Sequence, residues 1–166
     1  MDPILDKART GQNALERLAN AIPGFSGYRE KELRRDADRL QREYLASRLD
    51  GAKKSLDAAA NAVSRSGSLD AINDIETARK RLDKESNRIR YADRGYAGFF
   101  DAIKVKEEVL GRVYHFDLEL LDGVDSVIAA AASASTRPEA IRETITALDA
   151  LDDRLAEREA ILSGIS

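Results

Sequence analysis

Apolar residues recur every three or four positions along most of this chain, which is the spacing of one face of an α-helix. The longest such stretch, 28–65, has no proline and a single glycine, Gly51. It carries two apolar sets that are offset by one residue where they meet: Leu33, Ala37, Leu40 and Tyr44, then Leu45, Leu49, Ala52, Leu56, Ala59 and Val63. We predict one long helix over 28–65 whose apolar stripe shifts sideways at its middle, so that its halves have different neighbours.

The solvated face of this long helix is expected to carry pairs of opposite charge. Glu30 precedes Arg34 by four residues, and Asp38 precedes Arg42 by the same distance. Acid–base pairs at this spacing lie next to each other on a helix surface and stabilise it weakly. The pattern therefore predicts an exposed, charged outer surface.

Shorter segments with the same periodicity predict helices over 2–21, 69–92, 104–134 and 137–163. Gly67 is expected to end the long helix in the left-handed conformation, and Ser68 to cap the next helix. Thr136 and Glu139 have the spacing of a capping box before the last helix. The predicted fold is all-α: one domain, 1–166, with four main helices in an antiparallel bundle plus a shorter N-terminal helix.

The aromatic residues are concentrated at one end of the predicted bundle. All nine lie within 25–44 or 91–116. If the long helix and the next one fold back about Gly67, Tyr44 lies near Tyr91, and a second turn at Ser135 can share the end that holds Gly67. The predicted bundle therefore has a slim, alanine-rich end and a bulky aromatic end.

A connector over 93–103, with the residues just before it, holds four of these aromatic residues: Tyr91, Tyr96, Phe99 and Phe100. They could form a partner-docking patch, because exposed aromatic side chains anchor protein partners. They could instead form an internal plug that closes the aromatic end of the bundle. We expect the plug, with Phe99 and Phe100 buried and Tyr91 packed against the long helix near Tyr44.

Charge divides the chain into two halves. The net charge is −3, but residues 28–94 carry +4 and residues 95–166 carry −7. We expect the two halves to attract each other within one molecule. Lys80, Lys84 and Arg88 share one helical face and form a weak basic patch, but Asp83 and Glu85 interrupt it, which argues against nucleic-acid binding.

Catalytic and metal-binding patterns are poorly represented. The chain has no cysteine and one histidine, His115, whereas a di-metal centre in a helical bundle uses a Glu-x-x-His pair on each of two helices. We expect His115 on a helix surface, paired with Glu119. No phosphate-binding loop or nucleophile triad is recognisable. We therefore expect no metal, no cofactor and no enzymatic activity.

The composition and architecture favour a non-catalytic protein-interaction or scaffold module that binds a protein partner or a second copy of itself. No signal-peptide pattern begins the sequence, and the most apolar run, 124–134, is too short to span a bilayer, so the expected location is cytoplasmic. In outline alone, an N-terminal helix before a long helical hairpin resembles phage-shock-protein A-type membrane-remodelling proteins. That resemblance implies a peripheral membrane role, although the first helix lacks the lysine-rich polar face of a surface-bound helix.

Overall fold

A computed structural model describes residues 3–92 and 97–164, except for the side chains of residues 4–8 and 97. In these ranges the chain forms helices α1 (Pro3–Ala21), α2 (Arg34–Ser66), α3 (Leu69–Arg90), α4 (Ala97–Asp101), α5 (Glu107–Ser133) and α6 (Glu139–Ser163). A short 3-10 helix, Lys31–Leu33, leads directly into α2. Because the described residues contain helices and no strand, the predicted all-α class is confirmed.

Helices α2 and α3 form an antiparallel hairpin that turns at Gly67. Gly67 has a φ of 75° and ends α2 in the left-handed conformation, which glycine adopts without strain. The Ser68 side chain then accepts a hydrogen bond from the backbone N–H of Ala71 at the start of α3. Further along the hairpin, Ser86 donates to Asp50 across the two helices at 2.5 Å. Both predicted roles at this turn are confirmed.

Helices α5 and α6 form a second hairpin that lies beside the first, with its turn at the same end. An apolar cluster joins the two turns: Ala59, Val63, Ile75, Ala134, Ala140 and Ile141. Helix α3 runs in the same direction as α6, since Arg142 pairs with Asp74 near the turns and Arg88 pairs with Glu159 far from them. We call this end the turn end, and the opposite end, where α2 and α5 begin, the aromatic end.

Helix α2 buries one straight stripe along its length. The second predicted apolar set, from Leu45 to Val63, is buried throughout. The first set is half-buried or exposed, and the stripe continues instead through Arg34, Asp38 and Gln41, which are buried. The predicted sideways shift is therefore wrong, because the first part of the buried stripe is polar.

The long helix begins at Arg34 and not at Tyr28. The backbone N–H of Tyr28 donates to the Tyr114 hydroxyl at 2.9 Å, and its carbonyl accepts from Arg34 Nε at 2.7 Å. These tertiary hydrogen bonds hold Tyr28 in a non-helical loop after Gly27, whose φ is 99°. The boundary differs from the prediction because long-range partners, which local periodicity does not reveal, satisfy this backbone.

Three other boundaries also differ from the prediction. The connector 93–103 contains a helix, α4, and α5 begins at Glu107, after a non-helical segment in which Val105 is buried. Thr136 does not cap α6: its hydroxyl donates to the carbonyl of Ser133, and α6 starts after Pro138 without a side-chain cap. The end of α3 comes at Arg90 and not at residue 92.

Helix α1 lies outside the two hairpins and packs along α5. Gly11 and Gly111 face each other so closely that a Cβ atom on Gly11 would lie 2.6 Å from the Cα of Gly111. Arg17 forms an ion pair with Asp122 further along the same contact. The two glycines therefore set how closely α1 approaches the bundle.

Candidate functional site

Phe99 and Phe100 close the aromatic end from the inside. Helix α4 carries both side chains inward, and they are 0 % and 3 % exposed. The Phe99 ring meets the edge of Tyr28 at 5.3 Å, and Tyr28 stacks on Tyr114 at 5.6 Å. The burial expected of a plug is therefore observed for these two phenylalanines.

Tyr91 does not belong to this aromatic cluster. It follows the last residue of α3 and is 69 % exposed, so the expected packing against α2 near Tyr44 is wrong. The end of α3 is held to α2 one residue earlier, where Arg42 of α2 donates to the carbonyl of Arg90. Tyr96, the fourth predicted residue, lies outside the described residues.

Arg34 fixes the connector between α4 and α5. Its buried guanidinium donates through Nε to the carbonyl of Tyr28 at 2.7 Å and through Nη1 to the carbonyl of Ala102 at 2.6 Å. Its Cζ atom also lies 5.8 Å from the centre of the Phe99 ring. The expectation of a solvated Arg34 paired with Glu30 is therefore wrong, because this side chain joins two loops inside the protein.

A buried ionic network lies beside the aromatic cluster. Arg158 of α6 donates to Asp117 of α5 at 2.6 Å and to Asp38 of α2 at 2.5 Å. The Tyr28 hydroxyl donates to Asp117 at 2.5 Å, and Arg42 donates to Asp38 at 2.6 Å. The predicted pair of Asp38 and Arg42 thus exists, but it is buried and not part of a solvated face. The network joins three helices through charge-assisted hydrogen bonds.

Burial shapes the ionisation of this network. It raises the pKa of Tyr28 well above its ordinary value, and the negative charge of Asp117 adds to that effect. Burial also raises the pKa of Asp117, although Arg158 opposes the rise. For Arg158 burial acts to lower the pKa, but Asp117 and Asp38 hold it well above the ordinary value. Tyr28 therefore stays protonated and Arg158 stays charged at neutral pH.

The arrangement of the network favours holding helices together over acting on a substrate. Asp38 and Asp117 are fully buried, so a substrate cannot reach them while the bundle is folded. A cavity of about 10 Å³ beside Gln41, Arg42 and Arg158 has room for about one water molecule. In the part of the chain that the structure describes, no three His, Cys, Asp or Glu side chains are grouped to hold a metal ion.

The predicted basic patch is divided between two environments. Arg88 donates to Glu159 and Asp152, and the Lys84 ammonium lies 3.7 Å from Asp152, so both cations face α6. Lys80 is exposed to solvent. Two of the three residues therefore take part in the contact between the hairpins and do not form a free surface.

Other ion pairs continue this contact between a basic and an acidic hairpin. Arg48 of α2 pairs with Asp125 of α5, and Arg81 of α3 pairs with Asp149 of α6. The expected attraction between the two halves of the chain thus has a direct structural basis. Because these pairs are half-exposed, each contributes only about 0–1 kcal/mol.

A surface pocket of about 500 Å³ opens at the aromatic end, between the start of α5 and the end of α6. Its lining combines cationic and apolar side chains: Lys104, Lys106, Arg112, Val105, Val109 and Ile161. Among the described residues we find no ion-pair partner for its three cations. We call this the basic pocket. Sequence reasoning did not single it out, because a short exposed connector has no periodicity.

Ile103 is the most exposed large apolar residue that the structure describes. It is 88 % exposed and immediately precedes Lys104 of the basic pocket. The hydrogen bond from Arg34 to the Ala102 carbonyl fixes the backbone just before it. A buried side chain thus positions an apolar residue that faces water.

His115 lies in another pocket, of about 440 Å³, between α1 and α5. Its Nε2 atom is 3.2 Å from Oε1 of Glu119, so the predicted pair is confirmed. Gly11 and Gly111 line the same pocket where the two helices meet. His115 is half-exposed, which agrees with its predicted position on a helix surface.

The sequence did contain a signal for the ionic network, although it was missed. Asp117 lies four residues after Val113 and three before Leu120, and so belongs to the apolar stripe of α5. Arg158 occupies the equivalent place on α6, three residues after Leu155. Complementary charges on the facing stripes of one hairpin indicate a buried ion pair.

These features define an all-α bundle of two packed hairpins, with a buried ionic network and a basic pocket at its aromatic end. The sequence matches no protein-family model, no curated protein and no solved structure. Within 3–92 and 97–164, no helix is both long enough and apolar enough to cross a membrane.

Proposed function

We propose that this chain is a non-catalytic protein-interaction or scaffold module of the cytoplasm, and that it binds an acidic partner protein through its aromatic end. The observation that supports this most is the exposure of Ile103 on a connector that Arg34 holds in place. Covering such a side chain with a partner is favourable, because it removes apolar surface from water. The fixed backbone also reduces the entropy lost on binding.

The surroundings of Ile103 support the acidic character of the partner. Ile103 immediately precedes Lys104, which lines the basic pocket with Lys106 and Arg112, and these three cations have no ion-pair partners in the described ranges. A negative partner surface would complement these charges and speed association. Leu33 and Tyr91, which are 48 % and 69 % exposed, are further exposed apolar residues at the same end.

Affinity purification from the native host tests this proposal with a matched pair of variants. Ile103→Asp changes the proposed anchor, whereas Leu69→Asp changes a residue at the turn end that is 75 % exposed. We expect a protein that co-purifies with the wild type and with Leu69→Asp to fall by at least about tenfold with Ile103→Asp, as for loss of a binding hot spot. Equal recovery by all three chains would show that Ile103 is not the anchor. Thermal melts check that both variants are folded.

Ile103 beside two lysines also favours a second candidate, association with an anionic membrane surface, as the phage-shock-protein A resemblance implies. Sedimentation with phosphatidylserine vesicles at physiological salt tests this alternative. Ile103-dependent co-sedimentation without any protein partner would favour the membrane candidate. A second copy of the chain is a further possible occupant, and sedimentation velocity over a range of concentrations would reveal it as a concentration-dependent dimer.

A further inference from the structure

We infer that the basic pocket binds a short acidic peptide segment of the partner. The carboxylates of the peptide pair with Lys104, Lys106 and Arg112, and one of its aliphatic side chains packs against the apolar lining. The inference rests on the proposed function, since it names the chemistry of the partner at the same end of the bundle. It is more specific, because it assigns the recognition to one pocket of about 500 Å³.

The charges of the pocket favour an anion. Three cations line it, and among its described lining residues every charged side chain is basic. The backbone at the start of α5 adds to this potential, although the first turn also carries Glu107 and Glu108: Lys106 is the N-cap residue and makes no side-chain capping hydrogen bond. The N–H groups at a helix start carry partial positive charge and lack helical partners.

The apolar lining decides which kind of anion fits. Val105 is buried, and Val109 and Ile161 lie beside it in the pocket. A free phosphate or a nucleic-acid backbone would leave this apolar surface uncovered. An aliphatic side chain next to a carboxylate uses both parts of the lining, and the volume lies within the usual range for binding pockets of about 300–1,000 Å³.

An alternative role for the same cations is structural, and it predicts a different experimental result. The last turn of α6 contains no basic residue, and the pocket lies beside that turn. Lys104, Lys106 and Arg112 could therefore serve only to offset the negative end of α6. In that case reversing their charge would lower the melting temperature without any effect on a peptide ligand.

Nuclear magnetic resonance of the full chain tests the inference with defined probes. The ligand is a hexapeptide of alternating glutamate and leucine, and the control peptide has lysine in place of glutamate. We expect the acidic peptide to shift backbone amide signals of residues 103–112 and 160–164, and the basic peptide to leave them unchanged. The double variant Lys104→Glu/Lys106→Glu should weaken binding by at least about tenfold at physiological salt.

A matched double variant, Lys54→Glu/Lys80→Glu, makes the same change in net charge at two exposed lysines on α2 and α3, away from the pocket. It should leave the affinity for the acidic peptide within about twofold, because distant surface charges are largely screened. The inference is overturned if the acidic peptide shifts no signals in the pocket, if both double variants weaken it equally, or if only phosphatidylserine vesicles bind there. The proposed function would survive such a result if Ile103→Asp still abolished partner capture.

Discussion

Individual buried side chains hold the aromatic end together in two different ways. Phe99 and Phe100 contribute through apolar burial and close packing, whereas Arg158 contributes by compensating two buried carboxylates. Truncating a buried phenylalanine lowers the free energy of unfolding by an amount that grows with the volume of the cavity left behind. Removing Arg158 lowers it mainly because negative charge then remains buried without a partner.

Phe99→Ala is expected to lower the free energy of unfolding by at least about 2 kcal/mol, on the low side of the range for truncating a buried aromatic side chain. The reason is the loss of a fully buried ring that contacts Tyr28. Tyr91→Ala is the control, because Tyr91 is 69 % exposed and its truncation should cost less than about 0.5 kcal/mol. Urea denaturation of both variants provides the measurement. Equal midpoints for the two variants would contradict the plug.

Arg158→Met is expected to cost about 3–5 kcal/mol, because it leaves Asp38 and Asp117 buried without their shared cation. Arg154→Met on the same helix removes an exposed arginine that pairs with Glu119 and Glu157, and it should cost only about 0–1 kcal/mol. Chemical denaturation of the two variants at neutral pH compares them directly. A loss below about 1 kcal/mol for Arg158→Met would mean that the network contributes little to stability.

At the level of helices, periodicity predicted much of the architecture. It gave the five long helices, the left-handed Gly67 and the buried stripe from Leu45 to Val63, because these depend on local spacing and turn chemistry. It failed where distant partners decide the backbone, as at Tyr28, whose N–H and carbonyl bind Tyr114 and Arg34. Periodicity also failed for charged residues that lie on the apolar stripes, because it predicted them to be at the surface.

The candidate site was predicted only in part, for a related reason. The aromatic content of the connector indicated an important region, and the burial of Phe99 and Phe100 followed from it. Ile103 and the basic pocket could not be predicted in this way. Their exposure depends on how Arg34 holds the Ala102 carbonyl and on where α6 ends, neither of which has a sequence pattern.

The contact between α3 and α6 predicts an unusual dependence of stability on pH. Burial, with a hydrogen bond to Asp152 and the charge of that carboxylate, raises the pKa of Glu85 to about 8, although Lys84 and Arg88 oppose the rise. Glu85 therefore binds its proton more tightly in the folded state than in the unfolded chain. Its contribution to stability is complete below its ordinary pKa and is lost as the pH rises to about 8.

Glu85→Gln should remove this part of the pH dependence, because glutamine stays neutral and can still donate to Asp152. We expect the variant to match the wild type near pH 4 within error and to exceed its free energy of unfolding at pH 8 by at least about 1 kcal/mol, the equivalent of roughly one pKa unit. Glu76→Gln, at an exposed residue of α3, should show no such difference. If the free energy of unfolding changes in parallel from pH 4 to pH 8 for all three proteins, a protonated Glu85 in the folded state is refuted.

Different interactions hold the two hairpins together at the two ends of the bundle. A cluster of aliphatic residues joins the two hairpins at the turn end, while the ionic network and the aromatic cluster join them at the aromatic end. Ion pairs between the basic and the acidic hairpin lie between these ends. The aromatic end is therefore a firm support for Ile103 and the basic pocket, which is what a docking surface requires.

Hydrogen–deuterium exchange of the full chain, with and without its co-purified partner at saturating concentration, tests the docking surface most directly. Amides that a partner covers or orders exchange more slowly, so the partner's position can be mapped along the chain. We predict that added protection is confined to the connector and first turns of α5, residues 102–112, and to the end of α6 with the residue after it, residues 158–164. Protection concentrated at the turn end, around Gly67 and Ser135, with no change at the aromatic end would contradict the proposed docking surface.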